Sequence, residues 1–342
     1  MIPERKDKPI RNRFKIIAVG LQLALIVTAT PAAAWGGRAH TAINRAALAS
    51  LPADGPVFLQ AHADFIGGMA SLPDLWRQPV DPFAKMEEDP NHGWFREQFA
   101  FMKKPPRSRY EFVIALLDAQ RKMPPGSDEA LRTNVRWTGT MAYAIVEAFD
   151  RLVAGMRVHR RLATQGQDTR HIDQALAYDV VRIGHYVGDG AQPLHASIHS
   201  DGWRGANPKH YTSDRSIHSR FETMFVDAIG LTEQDVLRGV PALARQQGDV
   251  FDAVLAFLDD SAANMERVYQ FDQQGALADP ASRPARDLVY ARTATGAAML
   301  RDLLHRAWLV SALPLQNPAA DPLSQANPAY NPETGSAPAP VN

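Results

Sequence analysis

The 342-residue sequence contains no cysteine. This excludes disulfides, thiolate zinc sites and iron–sulfur clusters, and it leaves any metal to nitrogen and oxygen ligands. Net charge is also lacking, with 37 basic residues against 37 acidic ones, and 45% of residues are hydrophobic. Those values exclude an intrinsically disordered chain and a strongly basic nucleic-acid clamp. Internal repeats are absent, as are convincing alternations of polar and apolar residues that would mark strands. What is present is enough chain for one large domain or two small ones, with a substantial core.

The first 34 residues read as a secretory signal peptide. Arg5, Lys6, Lys8, Arg11, Arg13 and Lys15 form a basic start, Ile16 to Ala29 an apolar run, and Pro31-Ala32-Ala33-Ala34 a small-residue cleavage site. The rival reading is an uncleaved anchor. Fourteen helical residues reach only about 21 Å against a hydrocarbon core of roughly 30 Å. Cleavage would start the mature chain at Trp35. Removing six basic and two acidic residues leaves 31 against 35, a net charge of −4. The expected destination is the periplasm or the outside of the cell.

Downstream, apolar residues recur at three- and four-residue spacing in Ile43–Leu51, Tyr110–Gln120, Val135–Leu162, Ile172–Val187, Phe221–Ile229, Val250–Tyr269 and Asp287–Leu313. Proline and glycine clusters separate them at Pro52–Pro56, Pro79–Pro90, Pro105-Pro106, Pro124–Ser127 and Asp201–Pro208. The pattern predicts one all-α domain from Trp35 to about Leu313, with long loops. Residues 314–342, which hold seven of the 25 prolines, read as a flexible, extended tail.

The histidines carry the functional reading. His185 and Asp189 are four apart near the end of a helical segment, so they share a face. Pro193 then breaks the helix in Gln192-Pro193-Leu194-His195, which lets the His195 imidazole turn back toward the same point. His218 and Glu222 repeat the four-residue step. Neutral imidazole with carboxylate suits zinc where thiolates are missing. With 11 histidines and 37 acidic residues in 342 positions, about one such step arises by chance as a plain helix-face ion pair. The sequence has three, counting His210 and Asp214. His62, His159, His171 and His305 read as ordinary surface or hydrogen-bonded histidines. His199 and His210, in the loop between His195 and His218, are alternative ligands to those named.

Trp35-Gly36-Gly37-Arg38-Ala39-His40, the His185-x3-Asp189-x2-Gln192-Pro193-Leu194-His195 run and His218-x3-Glu222 together resemble the trinuclear-zinc phosphodiesterase superfamily. That superfamily contains the single-strand-specific nucleases of fungi and plants and the bacterial zinc-dependent phospholipases C. The resemblance spans Trp35 to about Ile229, and the family fold is a mostly α-helical single domain. It implies three zinc ions. Asp74, His92, His185 and Asp189 would hold one, and His195, His218 and Glu222 a second. The third would take the free amine and carbonyl of Trp35, with His40 and a shared Asp189. An amine ligand exists only after cleavage, which would couple export to metal assembly.

The resemblance further implies that Ser71-x2-Asp74-x2-Arg77 matches a nuclease element in which the arginine contacts phosphate. Asp74 would orient or deprotonate the nucleophile, and Arg77 would stabilise phosphoryl charge. At His92-Gly93-Trp94-Phe95 the chain departs from the nuclease pattern His-aromatic-x-Asp. Trp94 or Phe95 would then replace the base-stacking aromatic, or be core. The implied reaction is in-line attack on phosphorus by hydroxide generated between two zinc ions, the third ion stabilising the departing alkoxide.

Two branches compete for the substrate. The Trp35-to-His40 spacing, the Ser71–Arg77 element and the 23-residue gap from His195 to His218 look nuclease-like. Glu222 in place of aspartate looks like the phospholipase branch. The leading expectation is a single-strand nuclease or 3′-nucleotidase acting on single-stranded nucleic acid or nucleotides. A phospholipase C acting on phospholipid headgroups is the alternative, and a non-catalytic zinc-binding helical domain is a third. No obligate protein partner is visible.

Overall fold

The apolar spacing becomes five long helices that position everything else: α1 Gly37–Ala49, α2 Met141–Thr164, α3 Arg170–Ala191, α4 Val250–Ala262 and α5 Arg283–Ser311. The computed structural model describes residues 35–243, 248–314 and 321–338. The segment 1–34, read as a signal peptide, lies outside the described residues. Shorter helical turns connect the long helices, and the fold is mostly helical. The one strand-like pairing among the described residues is a single bridge between Asn331 and Ser336. No helix among them is long and apolar enough to cross a membrane.

Helix α3 is the central element. Every residue from Ile183 to Ala191 is buried, because α1, α2, α4 and α5 all pack against it. A helix enclosed on all sides is normally apolar all round. Here the enclosed turns carry His185 and Asp189, so the sequence spends its most protected positions on polar side chains. Gly188 allows α1 to come close, since a Cβ there would lie 2.5 Å from His40 Nδ1. In α5, which packs on both α1 and α3, Leu300, Leu303 and Leu304 are fully buried. Each contributes about 1.5–3 kcal/mol by leaving water.

Three expected helices have different limits. The run read as Val135–Leu162 divides into Val135–Thr138 and α2, because Gly139 takes φ 76° and ψ 168°. That conformation is essentially restricted to glycine and ends the helix. The run Val250–Tyr269 breaks at Asn264, whose side-chain amide donates to the carbonyl of Asp260, and a second helix runs Met265–Gln273. The helix expected over Phe221–Ile229 starts at Ile217 and widens to π geometry over Arg220–Phe225, a local widening common at functional sites. Within the proline-rich stretch Pro79–Pro90, Pro82 opens a short helix to Glu88, since proline is well suited to the first helical turn.

Part of the segment read as a tail is docked. Ser336 and Ala337 are buried, the hydroxyls of Ser108 and Ser336 lie 3.2 Å apart, and Ala337 N–H donates to the carbonyl of Pro322.

Candidate metal centre

Four side chains converge from three parts of the chain. Helix α3 contributes His185 and Asp189, the turn after Ser71 contributes Asp74, and the short helical turn Asp89–His92 contributes His92. From His92 Nδ1, Asp189 Oδ2 is 2.9 Å away, His185 Nε2 3.2 Å and Asp74 Oδ1 3.6 Å. From His185 Nε2, Asp189 Oδ2 is 3.5 Å away and Asp74 Oδ1 3.6 Å. Ligands of a tetrahedral zinc with bonds of 2.0–2.1 Å stand about 3.3 Å apart. These separations bracket that value, so His92, His185 and Asp189 can share one ion, with Asp74 within 3.6 Å of both imidazoles.

A second group lies beyond the break after α3. Gln192 Oε1 accepts from Leu194 N–H and starts a tight turn, which swings His195 back as the position of Pro193 predicts. His218 Nε2 and His195 Nε2 are 3.0 Å apart, and Glu222 Oε2 is 3.0 Å from the first and 3.5 Å from the second. The two groups are tied through the main chain. Trp94 N–H donates to the carbonyl of His195, and His195 Nδ1 donates to the carbonyl of His92.

His40 forms a third corner. Its ring stacks on His185 at 4.2 Å, and Nε2 lies 3.2 Å from Asp189 Oδ1. It also comes within 4.8 Å of donor atoms of Asp74 and His185. The contact with Asp189 is the shorter, and it gives the two oxygens of one carboxylate different neighbours. Oδ1 faces His40, while Oδ2 faces His92 and His185. Trp35 is fully buried, its ring 5.5 Å from Phe221, and Gly36 N–H donates to the carbonyl of Glu222. Trp35 and Gly36 are thereby held against the helical segment that carries Glu222.

Several donor atoms are buried without a hydrogen bond among the described residues: both ring nitrogens of His40, Asp189 Oδ1, Asp74 Oδ2 and Glu222 Oε1. Each such atom costs about 1–3 kcal/mol of desolvation unless something binds it. Cations would satisfy all of them together. The electrostatics point the same way. Burial disfavours charge on His185, yet Asp189 and Asp74 outweigh it and raise its pKa to about 9. His218 rises to about 10, because Glu222 and Asp201 overcome the same penalty. Burial opposes ionisation of Asp74, Asp189 and Glu222, but neighbouring imidazoles hold all three below the usual carboxylate range. His40 moves down, through burial and then through its neighbour His185. Carboxylates kept ionised deep in the fold draw positive charge to themselves, so the three buried clusters can hold metal ions.

Comparison with known protein families and with curated protein sequences finds no match for this chain.

The remaining expected residues fall as follows. Arg77 stands at the rim, with Nη1 3.3 Å from Asp74 Oδ1 and Nε 3.1 Å from Asp89 Oδ1. Trp94 is core, 4.8 Å from Phe99 and 5.6 Å from Phe112, and presents no face to a base. His199 stacks on Trp203 at 3.9 Å and accepts from Arg204 N–H, while His210 is exposed with φ 55°. Neither belongs to the ligand groups.

Phe95 lines a cavity of about 240 Å³, together with Trp137, Arg132 and Arg204. Ser200 and Asp201 form another part of its wall, and both also meet His218 Nδ1, at 3.1 and 3.3 Å.

The supporting residues were not foreseen from the sequence. Glu88 Oε1 lies 3.0 Å from His92 Nε2 and accepts from the Tyr186 hydroxyl at 2.7 Å. The Ala70 carbonyl accepts from His185 Nδ1 at 2.9 Å, leaving Nε2 as the donor atom toward the cluster. Glu88 precedes His92 by four residues, the reverse of the His-to-acid order that the motif search follows. Removing such a support costs about 10–100-fold in metal affinity. Glu88→Gln is therefore expected to weaken metal binding by that amount in a competition titration against a chelator. An unchanged affinity would show that Glu88 does not orient His92.

Proposed function

We propose that this chain is an exported zinc-dependent phosphoric ester hydrolase, acting on single-stranded nucleic acid or 3′-nucleotides. The observation that carries the reading is Asp189. A single buried carboxylate turns one oxygen to His92 and His185 and the other to His40, as a ligand shared between two ions would. Imidazole and carboxylate donors without thiolate favour zinc. Zinc held there would supply Lewis acidity and lower the pKa of water at neutral pH.

The protein's own part is to hold, orient and screen. Asp74, His92, His185 and Asp189 would form the first site, His195, His218 and Glu222 the second, and His40 with the Trp35 amine, its carbonyl and Asp189 the third. The second site has only three protein donors, so room remains there for a substrate oxygen. That is what separates a catalytic site from a closed structural one. Asp74 is placed to orient the nucleophile. Arg77, fixed by Asp74 and Asp89 yet 28% exposed, offers its remaining N–H groups to phosphoryl oxygens. Arg204, which lines the cavity beside His218 and donates to no acceptor among the described residues, favours a phosphate-rich substrate over a choline headgroup, which is itself cationic.

The test is a parallel hydrolysis assay on protein cleaved before Trp35. Its substrates are single-stranded DNA, RNA, a 3′-nucleotide and phosphatidylcholine liposomes, each with and without chelator. Chelator-sensitive cleavage of the nucleic acids and the nucleotide, restored by zinc, is expected. Diacylglycerol release with no nucleotide turnover would replace this reading with the phospholipase one. Zinc binding without any turnover would leave a non-catalytic metal domain.

A further inference from the structure

We propose that the cavity between Arg132 and Arg204 binds a second phosphate of the substrate, next to the phosphate that is cleaved. This rests on the nucleotide reading above. Its starting point is an imbalance among the charges of the cavity wall. Asp128 is taken up by Arg132, whose Nε lies 2.8 and 2.9 Å from its two oxygens. Asp201 is taken up by His218 at 3.3 Å and Arg215 at 3.4 Å. Arg132 is further braced over the Trp137 ring at 5.0 Å. The Arg204 guanidinium, in contrast, donates to no acceptor among the described residues, although it is partly buried and faces the cavity.

A half-buried planar guanidinium without an acceptor gains most from an anion that accepts through two oxygens, and phosphate supplies them. The backbone beneath it is already fixed. Arg204 N–H donates to His199 Nδ1 at 3.0 Å, and the His199 ring is stacked on Trp203. The side chain therefore starts from an ordered root. Burial and then the nearby charge of Arg132 act against the Arg204 cation, Asp201 and Asp128 offset only part of this, and an anion between the two arginines compensates the remainder.

Position and size narrow the ligand. His218 turns Nε2 to the second metal group and Nδ1 to Ser200 and Asp201 in the cavity wall. The wall of the cavity thus begins one imidazole ring away from the ligand atoms. At about 240 Å³ it falls below the usual range of roughly 300–1,000 Å³ for sites enclosing a drug-sized ligand. It accommodates a phosphate and the flat group beside it, the latter against Phe95.

The experiment compares adenosine 3′-monophosphate with adenosine 3′,5′-bisphosphate as substrates of the zinc-loaded protein, in the parent and in Arg204→Gln and Arg204→Lys. The parent is expected to show a KM about tenfold lower for the bisphosphate, the effect of one added charge-assisted pair. Arg204→Gln should abolish that preference and Arg204→Lys should keep part of it, with the zinc content of both variants equal to the parent's. A parent without preference, or a preference that survives Arg204→Gln, overturns the proposal. Turnover of the monophosphate by the parent leaves the hydrolase reading standing in either case. Absence of turnover on both nucleotides overturns the nucleotide reading and the pocket together.

Discussion

Asp189→Asn is expected to retain about one of three zinc equivalents and to lose phosphodiester hydrolysis to the background of the assay. The substitution keeps the shape of the side chain and removes its charge. Oδ2 lies 2.9 Å from His92 Nδ1 and 3.5 Å from His185 Nε2, while Oδ1 lies 3.2 Å from His40 Nε2. One neutralised carboxylate therefore weakens two sites at once. The group of His195, His218 and Glu222 keeps all three of its close contacts. Elemental analysis of the purified variant beside the parent decides the matter. Three retained equivalents would mean that Asp189 bridges nothing and that the reading built on it fails.

Gly139→Ala should have the largest effect on stability of any single methyl group added near the site. At φ 76° and ψ 168° the backbone is in a region that other residues adopt only at a cost of about 1–3 kcal/mol. In addition, the new Cβ would lie 1.8 Å from the carbonyl oxygen of Gly93, the residue after His92. That oxygen cannot withdraw freely, because it accepts from Met141 N–H. Phe95 N–H donates to Thr138 and Thr140 N–H to Pro90, so the two segments are laced together on both sides. The expected loss is about 3 kcal/mol or more, a fall in melting temperature of about 5 °C or more. Because the displaced segment carries His92, metal affinity should fall as well. A variant that melts with the parent and binds metal equally well would show that the two segments move apart without cost.

The sequence was most informative where one residue type has one physical consequence. The long helices follow from apolar spacing, and the return of His195 follows from a proline that cannot continue α3. Eight of the nine residues expected as ligands, His40, Asp74, His92, His185, Asp189, His195, His218 and Glu222, lie in direct contact with others of the set. For Trp35 the structure places the residue, through Gly36 and Phe221, beside Glu222. The supports were illegible for a plain reason. Glu88, Asp201 and the Ala70 carbonyl matter only because of what they touch, and touching is set by packing between segments distant in the chain. Trp94 was ambiguous on the same grounds. An aromatic beside a ligand reads equally as platform or core until its neighbours Phe99 and Phe112 are known.

The two main-chain links between the turn at His92 and the turn at His195 have a consequence for how this centre can change over time. His92 lends its carbonyl to the His195 ring, and His195 lends its carbonyl to Trp94 N–H. A shift of either backbone thus tilts an imidazole in the other group without any ligand being replaced. Neither group can therefore be repositioned by itself. Variation in this chain is free to act on the rim, at Arg77 and around the Arg204 cavity, while the paired turns beneath must drift together or stay as they are.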